Sequence, residues 1–118
     1  MSIETISRQA GSVTVIDVRG RLTLGAGGTA LRDLVHVLVN KGRKKLVLNL
    51  GGLDFIDSFG IGELTRSYAT VRKQGGELKL LHVTQKIYDL LQITRLSTVF
   101  DFYSDEEAAL RSFNLPGA

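Results

Sequence analysis

Ser58 carries the hydroxyl group best placed for chemistry in this sequence, because it follows an apolar, strand-like run and opens a predicted helix. A serine nucleophile at a strand-to-helix turn has a glycine two residues earlier, and here that position is Ile56. A nucleophile also needs a base, and the candidates are His36, in a predicted first helix, and His82, at a predicted strand end. Because nothing in the pattern brings either histidine to Ser58, the sequence predicts a binding protein without catalytic residues, and not an enzyme.

Metal and cofactor sites are not indicated. The chain has no cysteine and only two histidines, which disfavours a zinc site. The stretch Gly25–Ala30 formally fits the G-x-G-x-x-A dinucleotide pattern, but that pattern needs a strand running directly into its glycines, and Gly20–Leu24 intervene. We expect a flexible loop before the first helix and no cofactor, with a small nucleotide-binding protein as the alternative.

Length and composition predict one soluble domain. The 118 residues suit a single domain over 1–118, with 113–118 as a frayed tail, and a hydrophobic content of 43% permits a core. The most apolar stretch, Leu31–Val39, is interrupted by charges and is about half as long as a membrane span. No signal peptide is evident, and the absence of cysteine fits a reducing compartment, so we expect a cytoplasmic protein without membrane contact.

The net charge of +3 is modest, and its densest basic cluster is Arg43–Lys45. This cluster has no interleaved aromatic residues, so it is more typical of a solvated turn before a strand than of a nucleic-acid site. We therefore expect no direct contact with nucleic acid.

Hydrophobic spacing predicts an α/β domain in which strands and helices alternate. Such alternation indicates a mostly parallel or mixed sheet of four to five strands with about four helices. Glycine-containing stretches at 20–28 and 51–54 are predicted to be loops that end strands. The predicted strands lie near Ile3–Arg8, Val13–Val18, Leu46–Leu50, Leu78–Leu81 and Val99–Phe102; helices are predicted around Leu31–Leu38, from Ser58 to the pair Gly75–Gly76, after a Thr84 cap, and from a Ser104–Glu107 capping box to about Phe113.

The start of the second predicted helix contains the candidate site. Asp57 is predicted as its N-cap, with a carboxylate that accepts an N–H of the first turn, and Ile56 and Ile61 stand at the positions of a hydrophobic staple. Ser58 is then the first helical residue, with its hydroxyl near the surface.

Gly60 and Gly62 are unusual in a first helical turn, because each costs about 1 kcal/mol relative to alanine. Two explanations remain open. A bare backbone lets another protein approach Ser58 closely, or it lets the helix pack tightly on its own sheet.

The segment Leu48–Gly62, with its aspartate-serine-x-glycine motif, resembles the signature of STAS domains, and in particular that of bacterial anti-sigma factor antagonists. Three further segments resemble those of the family in the same order: Gly20–Leu22, Gly75–Leu78 and Ile93–Leu96. The resemblance covers nearly the whole chain and implies the STAS fold.

The resemblance also implies a partner-switching mechanism. In that family the serine at the position of Ser58 is phosphorylated by a serine protein kinase that is also an anti-sigma factor. The unphosphorylated antagonist binds this kinase, so that the sigma factor is released to act in transcription. Phosphorylation ends binding, and a PP2C-type phosphatase restores it. ATP and magnesium belong to the kinase in this scheme. For this chain we expect a monomer or weak dimer, and the sequence leaves the choice between the two open.

The implied partner surface comprises a small set of residues around the phosphoacceptor: Thr23, Asp57, Ser58, Phe59, Gly60 and Gly62. Two of them depart from the family pattern. Thr23 stands where many antagonists have aspartate, and Phe59 stands where a small residue is usual. Phe59 is either an exposed anchor or part of the core, and a lone aromatic residue beside a helix start is more often core. The alternative function is a STAS module of a stressosome-like complex or a lipid-transport ABC system, without phosphorylation.

Overall fold

The computed structural model describes residues 3–24 and 28–113. Within them, a five-stranded sheet has the strand order β1-β2-β3-β4-β5. β1 and β2 form an antiparallel hairpin, and all later neighbours are parallel, so the predicted mixed α/β fold is confirmed. The elements are β1 (Ile3–Ala10), β2 (Val13–Leu22), α1 (Gly28–Asn40), β3 (Lys45–Ile56), α2 (Ser58–Lys73), β4 (Glu77–Leu81), α3 (Gln85–Ile93), β5 (Phe102–Tyr103) and α4 (Glu106–Ser112).

Two strands are longer than the sequence predicted. The loop expected from Gly20 and the break expected at Gly51–Asp54 are wrong, because β2 continues to Leu22 and β3 to Ile56. The glycines are accommodated within the ladder. Gly20 takes a φ of 97° beside a register shift, and a side chain at Gly52 would meet Arg19 Cγ at 2.8 Å. Both strands therefore extend to the end of the sheet where β3 passes into α2, which is where the candidate site lies.

The core has two parts, one on each face of the sheet. On one face, α1, α2 and α3 cover residues such as Ile16 and Leu48. On the other face, α4 covers Val15, Val47 and Leu81. The central strand β3 is therefore buried on both sides, as its continuous apolar run predicted.

Helix α2 buries the predicted stripe Ile61, Leu64 and Val71, while Tyr68 is half-buried. Its basic last turn is followed by Gly75 at a φ of 83°, which confirms the predicted glycine stop. Thr84 caps α3 as predicted, with its hydroxyl accepting the Ile87 N–H at 3.4 Å.

The last strand and the last helix start later than the sequence predicted. β5 is Phe102–Tyr103, whereas Phe100, predicted within the strand, is buried against Tyr68. Asp105, not Ser104, caps α4, because its Oδ2 accepts the Ala108 N–H at 3.0 Å.

One residue of the predicted frayed tail, Phe113, is buried in the α4-side core. The rest of that predicted tail, residues 114–118, lies outside the described residues.

An ion network fastens α4 to the hairpin. The Arg8 guanidinium donates to Asp17 at 2.8 Å and to Glu106 at 2.6 Å. These hydrogen bonds lower the pKa of both carboxyl groups and raise the pKa of Arg8.

Among the described helices, none is both long enough and apolar enough to cross a membrane.

Candidate functional site

Ser58 lies where β3 passes into α2, at the carboxyl end of the central strand. It is the first residue of α2, and its side chain is exposed. Asp57 is the N-cap, as predicted, and its Oδ1 accepts the Gly60 N–H at 2.9 Å. Ile56 and Ile61 are both buried on either side of this cap, which fixes the angle at which the chain enters the helix. The Ser58 hydroxyl is therefore presented to solvent by a rigid helix start.

The second carboxylate oxygen of Asp57 has a partner that the sequence did not reveal. Its Oδ2 accepts the backbone N–H of Leu24 at 3.1 Å, which ties the segment after β2 to the start of α2. The hydrogen bond from Gly60, together with that from Leu24, lowers the pKa of Asp57, so this carboxylate is ionised beside Ser58 at neutral pH. The two residues are 33 apart in the chain, and no local spacing signals such a contact.

Gly60 and Gly62 have different roles. A Cβ at Gly60 would lie 2.0 Å from the carbonyl oxygen of Leu22 and 2.7 Å from Ile56 Cγ1. Gly60 is buried, so tight packing on the sheet explains this glycine. At Gly62 a Cβ would meet only the flexible guanidinium end of Arg66, at 3.1 Å, so packing does not explain that one.

The two residues that depart from the family pattern are only partly accessible. Thr23, predicted as part of the partner surface, is 9% exposed and offers little area for direct contact. Its contribution to partner binding stays a prediction. Phe59 is half-buried, which makes it neither a fully exposed anchor nor part of the buried core.

An exposed cluster of two cations around an aromatic ring lies at the carboxyl end of β3, and sequence reasoning missed it. Phe55 is 37% exposed, with Arg21 Cζ 5.0 Å and Lys86 Nζ 5.4 Å from its ring centroid. Arg21 is the register partner of Phe55 in the β2–β3 ladder, and Lys86 belongs to the first turn of α3. We call these three residues the Phe55 patch. Phe55 is three residues before Ser58, so the patch adds apolar area and positive charge at the same end of β3.

The structure gives little support to a catalytic histidine, a metal site or a dinucleotide site. His36 and His82 are both exposed. Within residues 3–24 and 28–113, no group of three His, Cys, Asp or Glu side chains could hold a metal ion. Half of the dinucleotide-like stretch, Gly25–Gly27, lies outside the described residues. The spacing objection to it is weaker than predicted, because β2 ends at Leu22 and only two residues then precede Gly25.

Known proteins share both the fold and the sequence pattern. A putative anti-sigma factor antagonist from Thermotoga maritima superposes with a TM-score of 0.87 at 20% identity, covering 94% of this chain and 95% of the other. The Bacillus cell fate determinant SpoIIAA, in its phosphorylated form, superposes with a TM-score of 0.70 at 21% identity over 92% of this chain and 99% of the other. In sequence, the anti-sigma-B factor antagonist of Bacillus subtilis is 25% identical over 94% of this chain and 100% of its own length.

The structural likenesses are too distant in sequence to carry more than the fold. The family assignment comes from the sequence itself, since the STAS domain family model matches residues 4–109, which include β3, Ser58 and all of α2. This chain therefore belongs to the STAS domain family.

Proposed function

We propose that this chain is an anti-sigma factor antagonist, a binding protein that holds a serine kinase with anti-sigma activity while Ser58 is unphosphorylated. The observation that carries the proposal is the exposed Ser58 hydroxyl at the first position of α2, next to an aspartate held by two backbone N–H groups. The B. subtilis relative, which aligns over its whole length, is named an anti-sigma-B factor antagonist. Binding to this chain sequesters the kinase, and its sigma factor is released to act in transcription.

The helix start is suited to accept a phosphate without loss of the fold. A phosphoserine adds about −1.5 to −2 units of charge. The backbone N–H groups and the dipole at the start of α2 favour an anion there. Ser58 is exposed, so neither a kinase nor a PP2C-type phosphatase needs to unfold the chain to reach its hydroxyl. In the transfer itself, the kinase supplies ATP and magnesium, and this chain supplies only the accepting oxygen.

The partner surface is centred on Ser58 and differs in part from the surface predicted from sequence. Asp57, Phe59 and Gly62 border the hydroxyl, while Gly60 supports it from beneath and Thr23 acts through packing. A phosphate at the centre of this surface would have to be desolvated on binding, and it would stand beside the ionised Asp57. Both effects oppose association, so phosphorylation releases the kinase.

The test is the affinity of purified variants for the serine kinase encoded nearest to this chain, measured by titration calorimetry. Ser58→Asp should abolish binding, whereas Ser58→Ala should bind like the wild type. Urea unfolding provides the control for folding, and the aspartate should leave the midpoint unchanged or raise it, because an acidic residue suits the first turn of a helix. Wild-type affinity in Ser58→Asp would contradict the charge switch.

A further inference from the structure

Strand β1 forms one edge of the sheet, and among the described residues nothing pairs with its outer side. Its ladder to β2 runs from Ile3 to Ala10 without a register shift. Edge strands are commonly kept from pairing by charged side chains, above all lysine, by proline, by a bulge or by very short length. β1 is eight residues long, contains no proline or lysine and has no bulge, and its two charged residues, Glu4 and Arg8, have opposite signs. It therefore offers a regular edge to which another strand can add.

The hairpin turn determines which backbone groups point outwards. Ala10 pairs with Val13 across a two-residue turn, and only a directly hydrogen-bonded pair can close such a turn. Hydrogen-bonded and non-hydrogen-bonded pairs then alternate along the ladder. The residues whose N–H and C=O groups face the free edge are consequently Ile3, Thr5, Ser7 and Gln9.

The side chains along this edge are complementary to themselves. In an antiparallel pair of β1 strands centred on Ile6, that residue faces its own copy, and Glu4 faces Arg8 of the second copy. Both are non-hydrogen-bonded positions, where opposed side chains come closest, while Thr5 and Ser7 exchange backbone hydrogen bonds. A slip of two residues would place Glu4 opposite Ile6 or Ala10 and lose the charge pairing.

Glu4, Ile6 and Arg8 lie on the face of the sheet that α4 covers, and their exposure supports this register. Ile6 is 59% exposed, which is high for an isoleucine in the middle of a strand. Arg8 already donates four hydrogen bonds to Asp17 and Glu106, but a guanidinium has five N–H groups and this side chain is 40% exposed. Glu4 of a second copy can therefore reach the remaining N–H group, but it brings a third carboxylate to one guanidinium, so this contact fixes the register and adds little to the affinity of the dimer.

We propose that two copies of this chain associate through their β1 edges, with Ile6 on the twofold axis and one continuous sheet across the dimer. The interface consists of one strand pair and the apolar contact between the two Ile6 side chains, so the dimer is weak and depends on concentration. Ser58 lies beyond the end of β3, two strands away from β1, so this association does not rest on the proposed function.

A single engineered cysteine tests the pairing directly, because the chain has no cysteine of its own. Opposed non-hydrogen-bonded residues have Cβ atoms at about the separation a disulfide needs. Under mild oxidation, Ile6→Cys should form covalent dimers at least about tenfold faster than Ile93→Cys, the matched control on α3, where the isoleucine is 78% exposed. Faster linking by Ser7→Cys than by Ile6→Cys, or equal rates for Ile6→Cys and the control, would overturn the proposal.

Sedimentation velocity tests the same interface without a covalent bond. From about 10 µM to 1 mM, the wild-type mass should rise from 12.9 kDa towards twice that value. Ile6→Lys should weaken the dimer at least about tenfold, because it sets two like charges against each other at the axis, while Ile93→Lys should behave like the wild type. A wild type that remains monomeric throughout, or equal association by Ile6→Lys, would contradict the proposal.

Discussion

Replacing Gly60 by alanine places a methyl group against the backbone of β2. The added Cβ would lie 2.0 Å from the Leu22 carbonyl oxygen, whereas ordinary contact begins at 3.4 Å, so the start of α2 has to move by about 1.4 Å. The atom that is met belongs to the backbone of a paired strand and cannot swing aside. Overpacking of this kind costs about 3 kcal/mol at the upper end of its usual range. Alanine recovers about 1 kcal/mol in helix propensity, which leaves a net loss of about 2 kcal/mol in the free energy of unfolding.

Gly62→Ala is the matched control, two residues further along the same helix. Its Cβ would meet only the guanidinium end of Arg66, at 3.1 Å, and Nη1 of that side chain also lies 3.3 Å from the buried carboxylate of Glu63. A displacement of a few tenths of an ångström relieves the contact without breaking this ion pair, so the helix-propensity gain dominates and we expect stabilisation of up to about 1 kcal/mol. The two alanine variants should therefore shift stability in opposite directions.

Urea denaturation at neutral pH, followed by circular dichroism, measures both changes. Equal stability of Gly60→Ala and the wild type, or an equal loss in both variants, would refute the packing explanation of Gly60. Binding to the kinase then addresses Gly62. If a bare surface is its role, Gly62→Ala should bind more weakly although it is more stable.

Three further predictions address the ion network, the patch beside the hydroxyl and the glycine loop. The Arg8 hydrogen bonds hold the pKa of Asp17 and Glu106 below the ordinary values of 3.8 and 4.5. The two ion pairs therefore stabilise the folded state above that pH range, and this stabilisation is lost as pH falls. Arg8→Met should therefore cost about 1–2 kcal/mol at pH 7 and almost nothing near about pH 2 in urea titrations; a constant difference would contradict this. Lys86→Glu should weaken kinase binding about tenfold without moving the unfolding midpoint, whereas Phe55→Ala should weaken binding about tenfold and also lower the midpoint, since its ring is only 37% exposed; calorimetric affinities equal to wild type would show that the patch does not contact the kinase. Titration with labelled ATP, GTP and NAD should show no saturable binding at physiological concentrations, and saturation would support the nucleotide-binding alternative.

The parts of the fold that the sequence predicted are those governed by local patterns. The alternation of elements, the apolar run of β3 and the stripe of α2 follow from periodicity, and Asp57 follows from capping preference. The STAS resemblance draws chiefly on Leu48–Gly62, which comprises much of β3 and the start of α2.

The lengths of β2 and β3 could not be predicted from local preference. Gly20, Gly51 and Gly52 disfavour strands on their own, yet pairing between the two long neighbours carries the ladder through them. The predicted N-cap of α4, Ser104, was also wrong. Ser104 and Asp105 are both favourable N-cap residues, and the backbone conformation after β5 decides between them.

The site was predictable as a position but not as a surface. Ser58 and its cap stand out in the sequence, whereas the Leu24 contact of Asp57 and the Leu22 contact of Gly60 join segments more than thirty residues apart. The Phe55 patch likewise combines β2, β3 and α3. Such features appear only when the sheet brings those ends together.

Intact mass after coexpression with the kinase encoded nearest to this chain tests the central claim most directly. We expect a single phosphate adduct on the wild type and none on Ser58→Ala, which would locate the switch at the first residue of α2. No adduct on the wild type, with a kinase shown to be active on another substrate, would contradict the claim and place this chain among the STAS modules that act without phosphorylation.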